Sequence, residues 1–468
     1  MKIIYVVIDT LRADHLGCYG YHRDTSPRLD ALAEDGVLFE RAYPTDVPTQ
    51  PYYTAVFTGQ RGIRNGVVSH SPSEDIPDTI PYLSEAFASG GYETGAVSTL
   101  FFMKRYFARG FHAYMNPVAG NRARLQQVTA QEINSYAIPW LRAHCNEDFF
   151  LFVHYWDPHG LYRPPEEKYR TMFYDGDPYD PQNHSLDLLE EQLASPFVRA
   201  HIDALYAGEG GKITDAEYVI SQYDGEIRYV DDKLGELLDA VQELGITEET
   251  LLIVTSDHGE SMTEHGLFFD HFGVYEATVR VPLSLRWPGQ LPAGRRVSAL
   301  AQGIDLSVTM LDAADIEPPQ AFQGQSLLPL ARGETEKGRE FIVCNQGLWQ
   351  AKRTISDGHW KLIKAIDNGL WPAPALELYN LEEDPGEVNN LADREPETTA
   401  ELDLRLRRWE DAQLGRCIDP LRKIADIGLP SRPWVERAAR RQGIEIRWEE
   451  FRTLIDVPFQ GMVQGAGR

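Results

Sequence analysis

Three apolar runs that each stop at an acid constrain this chain more than any other feature. Ile3–Ile8, Phe149–Trp156 and Thr250–Ser256 are each long enough for one buried strand, and they are followed by Asp9, Asp157 and Asp257. Runs rich in β-branched and aromatic residues, without polar alternation, belong to strands covered on both faces. Helical spacing predicts the covering elements at Ser26–Gly36, Ile80–Ser89, Gln127–His144, Ala216–Leu244 and Asp305–Ala314. Alternation of this kind predicts an α/β domain built on a mostly parallel sheet with helices on both faces. In such sheets ligands gather beyond the carboxyl ends of the strands, where the three acids would stand.

After Gly333 the pattern changes to short strand-like pieces, Phe341–Cys344, Ala351–Ser356, Trp360–Lys364 and Glu377–Asn380, then a helix over Thr398–Gln413. We expect residues 1–335 to form the catalytic domain and 336–414 a smaller α+β domain with an antiparallel sheet. Residues 415–468 form a tail whose Trp434, Trp448, Phe451 and Phe459 need cover, and packing on a second copy of the chain would supply it. A chain of 468 residues with a formal charge of −26 has no use for a nucleic-acid or anionic-membrane partner. An anionic substrate would need a local device such as a metal ion, a helix N-terminus or histidines. Cys18, Cys145, Cys344 and Cys417 are scattered and read as free thiols, and the apolar start is too short for a secretory core. Both readings point to the cytoplasm.

Thr49 opens a second line of argument. Thr49-Gln50-Pro51 precedes an apolar run that stops at Gly59, the pattern of a helix with Pro in its first turn and Gly at its end. A hydroxyl there sits where unpaired backbone N–H groups and the helix dipole favour an oxyanion. Alone, Thr49 reads as an N-cap. Taken with Asp9, Asp257 and His258, it completes a donor set for one divalent metal ion, which would acidify the hydroxyl and polarise an ester.

The segments Ile8-Asp9-Thr10-Leu11-Arg12-Ala13-Asp14, Thr255-Ser256-Asp257-His258-Gly259-Glu260, Tyr275-Glu276 with Arg280-Val281-Pro282, Trp360-Lys361-Leu362 and Glu377-Leu378-Tyr379-Asn380 resemble the motifs of the sulfatase family of the alkaline phosphatase superfamily. The resemblance implies metal ligation by Asp9, Asp257 and His258. It sets Thr49 where the family carries the Cys or Ser that becomes formylglycine, with Tyr53 in place of the motif's Arg. Thr cannot be converted in that way, so the resemblance turns toward relatives whose Thr attacks directly. His159 matches a histidine near the leaving-group oxygen, and His271, in Phe269-Asp270-His271, a family Lys or His. His70 and Thr99 fall in substrate-facing segments, and the sulfate-holding Lys and His are replaced at Ser98-Thr99-Leu100-Phe101. Tyr53, His70, Thr99 and Asp270 are therefore the expected substrate contacts. Imidazole among the ligands favours Mn²⁺ or Zn²⁺ over Ca²⁺. The expected activity is hydrolysis of a small anionic ester, a phosphodiester or phosphonate monoester, through a covalent Thr49 intermediate. The alternatives are sulfate monoester hydrolysis without formylglycine, phosphoryl transfer to an alcohol, and a catalytically inactive binding protein.

Overall fold

A computed structural model describes residues 1–70, 75–118, 126–191, 210–369, 371, 373–441 and 443. Its strands in chain order are β1 (Lys2–Ile8), β2 (Val37–Tyr43), β3 (Asp46–Val47), β4 (Glu93–Val97), β5 (Ala113–Met115), β6 (Phe149–Tyr155), β7 (Thr250–Thr255), β8 (Val281–Arg286), β9 (Arg295–Val297), β10 (Ala301–Gln302), β11 (Ile342–Gln346), β12 (Ala351–Ser356), β13 (Trp360–Asp367) and β14 (Leu376–Asn380). The large sheet runs β10-β2-β8-β7-β1-β6-β4-β5, with β9 also paired to β2. All its pairings are parallel except those of β8. The three acid-terminated runs lie side by side as β6-β1-β7, in register from Lys2 opposite Phe149 and Thr250.

Sequence parity decides which face each side chain takes. Tyr5 reaches the helix Thr49–Thr58 through Tyr52 (hydroxyls 3.1 Å apart). Tyr155, beside Ile8, donates instead to Asn134 (2.6 Å) of the helix Ala130–His144. Side chains three apart on a strand point to opposite faces, so one helix layer contains Thr49–Thr58 and the other Ala130–His144, packed with the long helix Ala216–Glu243. Every residue from Ile3 to Ile8 is fully buried between them. The predicted helices appear with ends moved by a few residues, as Pro27–Glu34, Leu83–Ser89 and Gly303–Ala313.

The small sheet runs β14-β13-β12-β11-β3 and is antiparallel except where β3 joins β11 in parallel. The chain thus leaves the large sheet at Tyr43, contributes two residues to the edge of the small one, and turns straight into the helix that starts at Thr49. Asn345 of β11 donates to Asp46 Oδ1 (2.8 Å), and Asp46 Oδ2 accepts from Gly62 N (3.0 Å). The sheet expected in 336–414 alone therefore also holds the segment carrying Thr49.

In the tail, the helix Pro420–Ile427 buries Leu421, Ile424 and Ala425 against Val68 and Ala351. Trp434, in the helix Arg432–Arg441, meets Trp349 edge-on (centroids 5.7 Å). Trp448, Phe451 and Phe459, invoked for a contact between subunits, lie outside the described residues. The four cysteines are free, and among the described residues no helix is long and apolar enough to cross a membrane.

Candidate active site

Asp9 continues the odd parity of Tyr5 and Val7, which turns its carboxylate toward the layer containing Thr49. Its backbone N–H extends the ladder to Tyr155 O (2.9 Å). On the neighbouring strand His154, level with Val7, points to the same face, and its Nε2 lies 3.2 Å from Asp9 Oδ2. Burial, reinforced by His159, pushes the His154 pKa down to about 3, so the ring is neutral and its single N–H serves Asp9. His154 was not among the residues expected from sequence. Its signal there is a lone titratable side chain inside an otherwise apolar strand.

From β7 comes Asp257, whose Oδ1 accepts from the N–H of Thr10 (3.2 Å) and of His258 (3.0 Å). Thr10 reaches it from φ 56°, a conformation unfavourable for a β-branched residue and held here by Tyr223, which donates to Thr10 O (2.7 Å). His258 Nδ1 donates to Gly259 O (2.9 Å), which orients the ring so that Nε2 faces Thr49 and Asp257. Gly259 itself passes so close to Ala277 that a Cβ would stand 2.1 Å from the Ala277 carbonyl oxygen. Thr49 is the first residue of its ten-residue helix, which ends at Gly59 in the left-handed region (φ 61°), as its sequence predicts. Its Oγ1 lies 3.3 Å from His258 Nε2.

These groups test whether a cation fits. His258 Nε2 lies 3.3 Å from Asp257 Oδ2. Asp257 Oδ2 and Asp9 Oδ1 are both buried without a hydrogen-bond partner. One donor atom from each of Asp9, Asp257 and His258 lies within 4.8 Å of the others. Burial raises the Asp9 carboxyl well above its ordinary pKa, and Asp257 and Glu260 raise it further; burial also raises Asp257, against the pull of His258. Buried carboxylates left in this state call for a positive charge among them, so the donor set fits a divalent ion.

The remaining predicted residues gather around this centre in different ways. The His271 ring lies 4.6 Å from that of His258, and His159 5.8 Å from His271. His159 Nδ1 meets Gly160 O at 3.0 Å. His70 is pushed down to about 3 by burial, with His258 and His159 adding, and its Nδ1 has no partner. Tyr53 packs edge-on against His154 (5.1 Å), its hydroxyl buried and unpartnered. Thr99 is different: its Oγ1 accepts from Trp156 Nε1 (2.6 Å), which holds the indole between His154 and His159. Asp270 accepts from the backbone N–H of His271 (2.8 Å) and faces its ring nitrogen Nδ1 (3.0 Å). The small sheet reaches this loop too, through Gln346 Nε2 donating to His271 O (2.8 Å).

A family model described as Sulfatase matches residues 2–316. The chain belongs to the sulfatase family. A second model, N-sulphoglucosamine sulphohydrolase, C-terminal, matches 263–412, and so spans the junction between the sheets. Arylsulfatase K of Homo sapiens is 31% identical over 293 residues, 58% of this chain and 53% of the relative. The chain thus spans about half the length of the arylsulfatase K relatives it matches. An arylsulfatase of Clostridium perfringens is 24% identical over 84% of this chain and 90% of its own. The phosphonate monoester hydrolase of Agrobacterium radiobacter superimposes with a TM-score of 0.69 at 22% identity, covering 87% of this chain and 96% of that one. A protein solved with its substrate D-glucosamine-2-N,6-O-disulfate gives 0.70 at 22%, over 88% and 97%. At that identity the structural likeness is one of fold. The sulfatase family generally employs a divalent metal ion, and the residues Asp9, Asp257 and His258 form a candidate ligand group for one here.

Proposed function

We propose that the chain hydrolyses phosphodiester or phosphonate monoester bonds by direct attack of Thr49. The observation that carries this reading is the hydroxyl of Thr49 at a helix N-terminus, 3.3 Å from His258 Nε2 and beside the unpartnered oxygens of Asp9 and Asp257. Asp9, Asp257, His258 and the Thr49 oxygen would hold a divalent ion, whose positive charge would acidify the hydroxyl and polarise the ester; two carboxylates, an imidazole and a hydroxyl suit Mn²⁺ or Zn²⁺ better than Ca²⁺.

Thr49 gives up its hydroxyl proton to solvent, its Oγ1 then forms the new bond to phosphorus, and the bond to the departing alkoxide or phenoxide breaks, so that the later hydrolysis returns Thr49 as the same alkoxide. The first turn of its helix presents backbone N–H groups to the ester oxygens. His159, its Nδ1–H on Gly160 O and its Nε2 3.3 Å from the Gln126 amide nitrogen, would enter the step as the imidazolium and give its Nε2 proton to the leaving oxygen. The same nitrogen then takes a proton from the water that releases Thr49. His271 contacts an oxygen of the ester, and Tyr53 and His70 line the buried wall. Asp9 is kept in orientation by His154, and Thr99 by way of Trp156 keeps His159 in place.

Hydrolysis of a sulfate monoester by the same hydroxyl is the second reading, favoured by the relatives named arylsulfatase. The deciding assay is kcat/KM for an aryl phosphodiester and an aryl phosphonate monoester against the matching aryl sulfate, with Mn²⁺ supplied and Thr49→Ala run beside the parent. Faster phosphorus esters, lost in the variant, support the first reading. Faster sulfate supports the second, and no turnover of any ester returns the chain to a binding role.

A further inference from the structure

Along one face of the long helix Ala216–Glu243, the buried side chains of Tyr223, Glu226 and Tyr229, three residues apart, each hold backbone close to the site. Tyr223 bridges the loop after β1, donating to Thr10 O (2.7 Å) and accepting from Arg12 N (3.0 Å). Tyr229 accepts from Gln131 N (3.2 Å), next to Ala130, whose N–H donates to Asp157 Oδ2 (2.6 Å). Between them Glu226, 4% exposed, accepts from Arg163 N (2.5 Å) with Oε1. The segment from Asp157 to Arg163 is thus pinned at both ends, and His159 stands inside it. Tyr162, in the same segment, packs edge-on against Tyr223 (centroids 5.4 Å). The helix comes so close here that a Cβ on Gly225 would stand 2.4 Å from Tyr169 O and 3.1 Å from Pro164 Cγ.

Resting on the reading of His159 as the proton donor to the leaving oxygen, we propose that Glu226 is the positioning residue for that histidine. It acts through the backbone. His159 Nδ1 donates to Gly160 O (3.0 Å), so the direction of its Nε2–H follows the carbonyl of its own neighbour. That carbonyl lies three residues before the N–H that Glu226 holds. On the other side, His159 N donates to Trp156 O (2.7 Å), and the two rings meet edge-on (5.3 Å). The end of β6 therefore fixes one side of the ring, and Glu226 fixes the loop on the other. Burial raises the Glu226 carboxyl well above its ordinary pKa and Asp157 adds to this, against the pull of the Arg163 N–H. The service the site asks of the side chain is an acceptor oxygen, which an amide also supplies. A donor out of place costs little when the leaving group departs without a proton and much when it needs one. The competing role for Glu226 is stability alone.

The test is the ratio of kcat/KM for the 4-nitrophenyl and phenyl esters of one phosphonate, measured on the full chain with Mn²⁺ supplied. If aryl sulfates are the faster substrates, the same two leaving groups are compared as sulfates. The 4-nitrophenoxide departs with little need of a proton, whereas phenoxide needs one. Both rates come from one preparation, so their ratio is independent of the folded fraction. Glu226→Met, which keeps the length of the side chain, and Glu226→Ala both remove the acceptor and should raise the ratio about tenfold or more. Glu226→Gln should keep the parent ratio. His159→Ala, run beside them, should raise it at least as far as Glu226→Met. A ratio unchanged in Glu226→Met and Glu226→Ala but raised in His159→Ala overturns the proposal and leaves His159 as donor. A ratio as high in Glu226→Gln as in Glu226→Met overturns it too. An unchanged ratio in His159→Ala removes the donor itself, and the proposal with it, while leaving Thr49 untouched. No turnover of any ester by the parent removes both.

Discussion

Two of the places where the molecule buries charge treat it in opposite ways. Where the small sheet meets the large domain, three buried cations each have an anion. Lys361 sits between Glu276 (2.9 Å) and Glu387 (2.8 Å), Lys352 on Glu377 (3.3 Å), and Arg353, fully buried, on Asp419 (2.9 Å) and Glu410. Burial alone would lower the Lys361 pKa, yet Glu276 and Glu387 raise it, so the ammonium is kept charged. At the carboxyl ends of β1 and β7 the acids have no such partners, and burial raises Asp9, Asp257 and Glu260 instead. Paired buried charge fixes how two parts of a chain dock. Unpaired buried charge of one sign marks a place kept for something that arrives from solution.

That contrast can be broken by mutation. In the pocket, Asp257→Asn should lower kcat/KM by about 10³-fold or more, the loss of several kcal/mol of charge stabilisation. In chelator-treated protein the same change should leave the thermal midpoint unchanged or higher, because a desolvated charge has gone; a lower midpoint would mean that Asp257 is structural. At the docking surface the signs reverse. Asp419→Ala leaves Arg353 buried with one partner fewer and should cost about 3–5 kcal/mol in denaturant unfolding. Turnover by the folded fraction should not change. Leu421→Ala, on the helix that Asp419 caps, should cost about 2–5 kcal/mol by leaving a cavity, again with turnover intact. The smallest effect is expected from Glu264. Burial pushes its carboxyl up, but Arg12 overrides this and brings it down to about 2 from 4.5. A depressed carboxyl contributes stability that is full above its unfolded value and disappears as pH falls through the folded one. Glu264→Gln should therefore lower stability by a constant amount above about pH 4.5 and by progressively less between about pH 4.5 and 2.

Much of the site was legible because its residues end strands or begin a helix. Asp9 and Asp257 follow apolar runs that admit only one register, and Thr49 is bracketed by Pro51 and Gly59. What sequence could not supply were relations across the fold. Nothing local announces that Asp46–Val47 joins β11, or that Gln346 holds the loop of His271. Thr99 was read as a substrate contact from its segment, whereas its hydroxyl serves Trp156, a partner 57 positions away. The tail had no clear periodicity beyond Trp434 to Arg441, and the helix Pro420–Ile427 is recognisable only once Val68 and Ala351 are seen beneath it.

The central claim is that the hydroxyl of Thr49 takes the ester's phosphorus. The most direct test is to quench turnover of an aryl phosphonate monoester with Mn²⁺ at the earliest accessible time and map the digested protein by mass spectrometry. The account predicts a phosphonyl ester on the peptide containing Thr49, absent in Thr49→Ala together with turnover. Full turnover by Thr49→Ala, or an adduct on any other side chain, would contradict it.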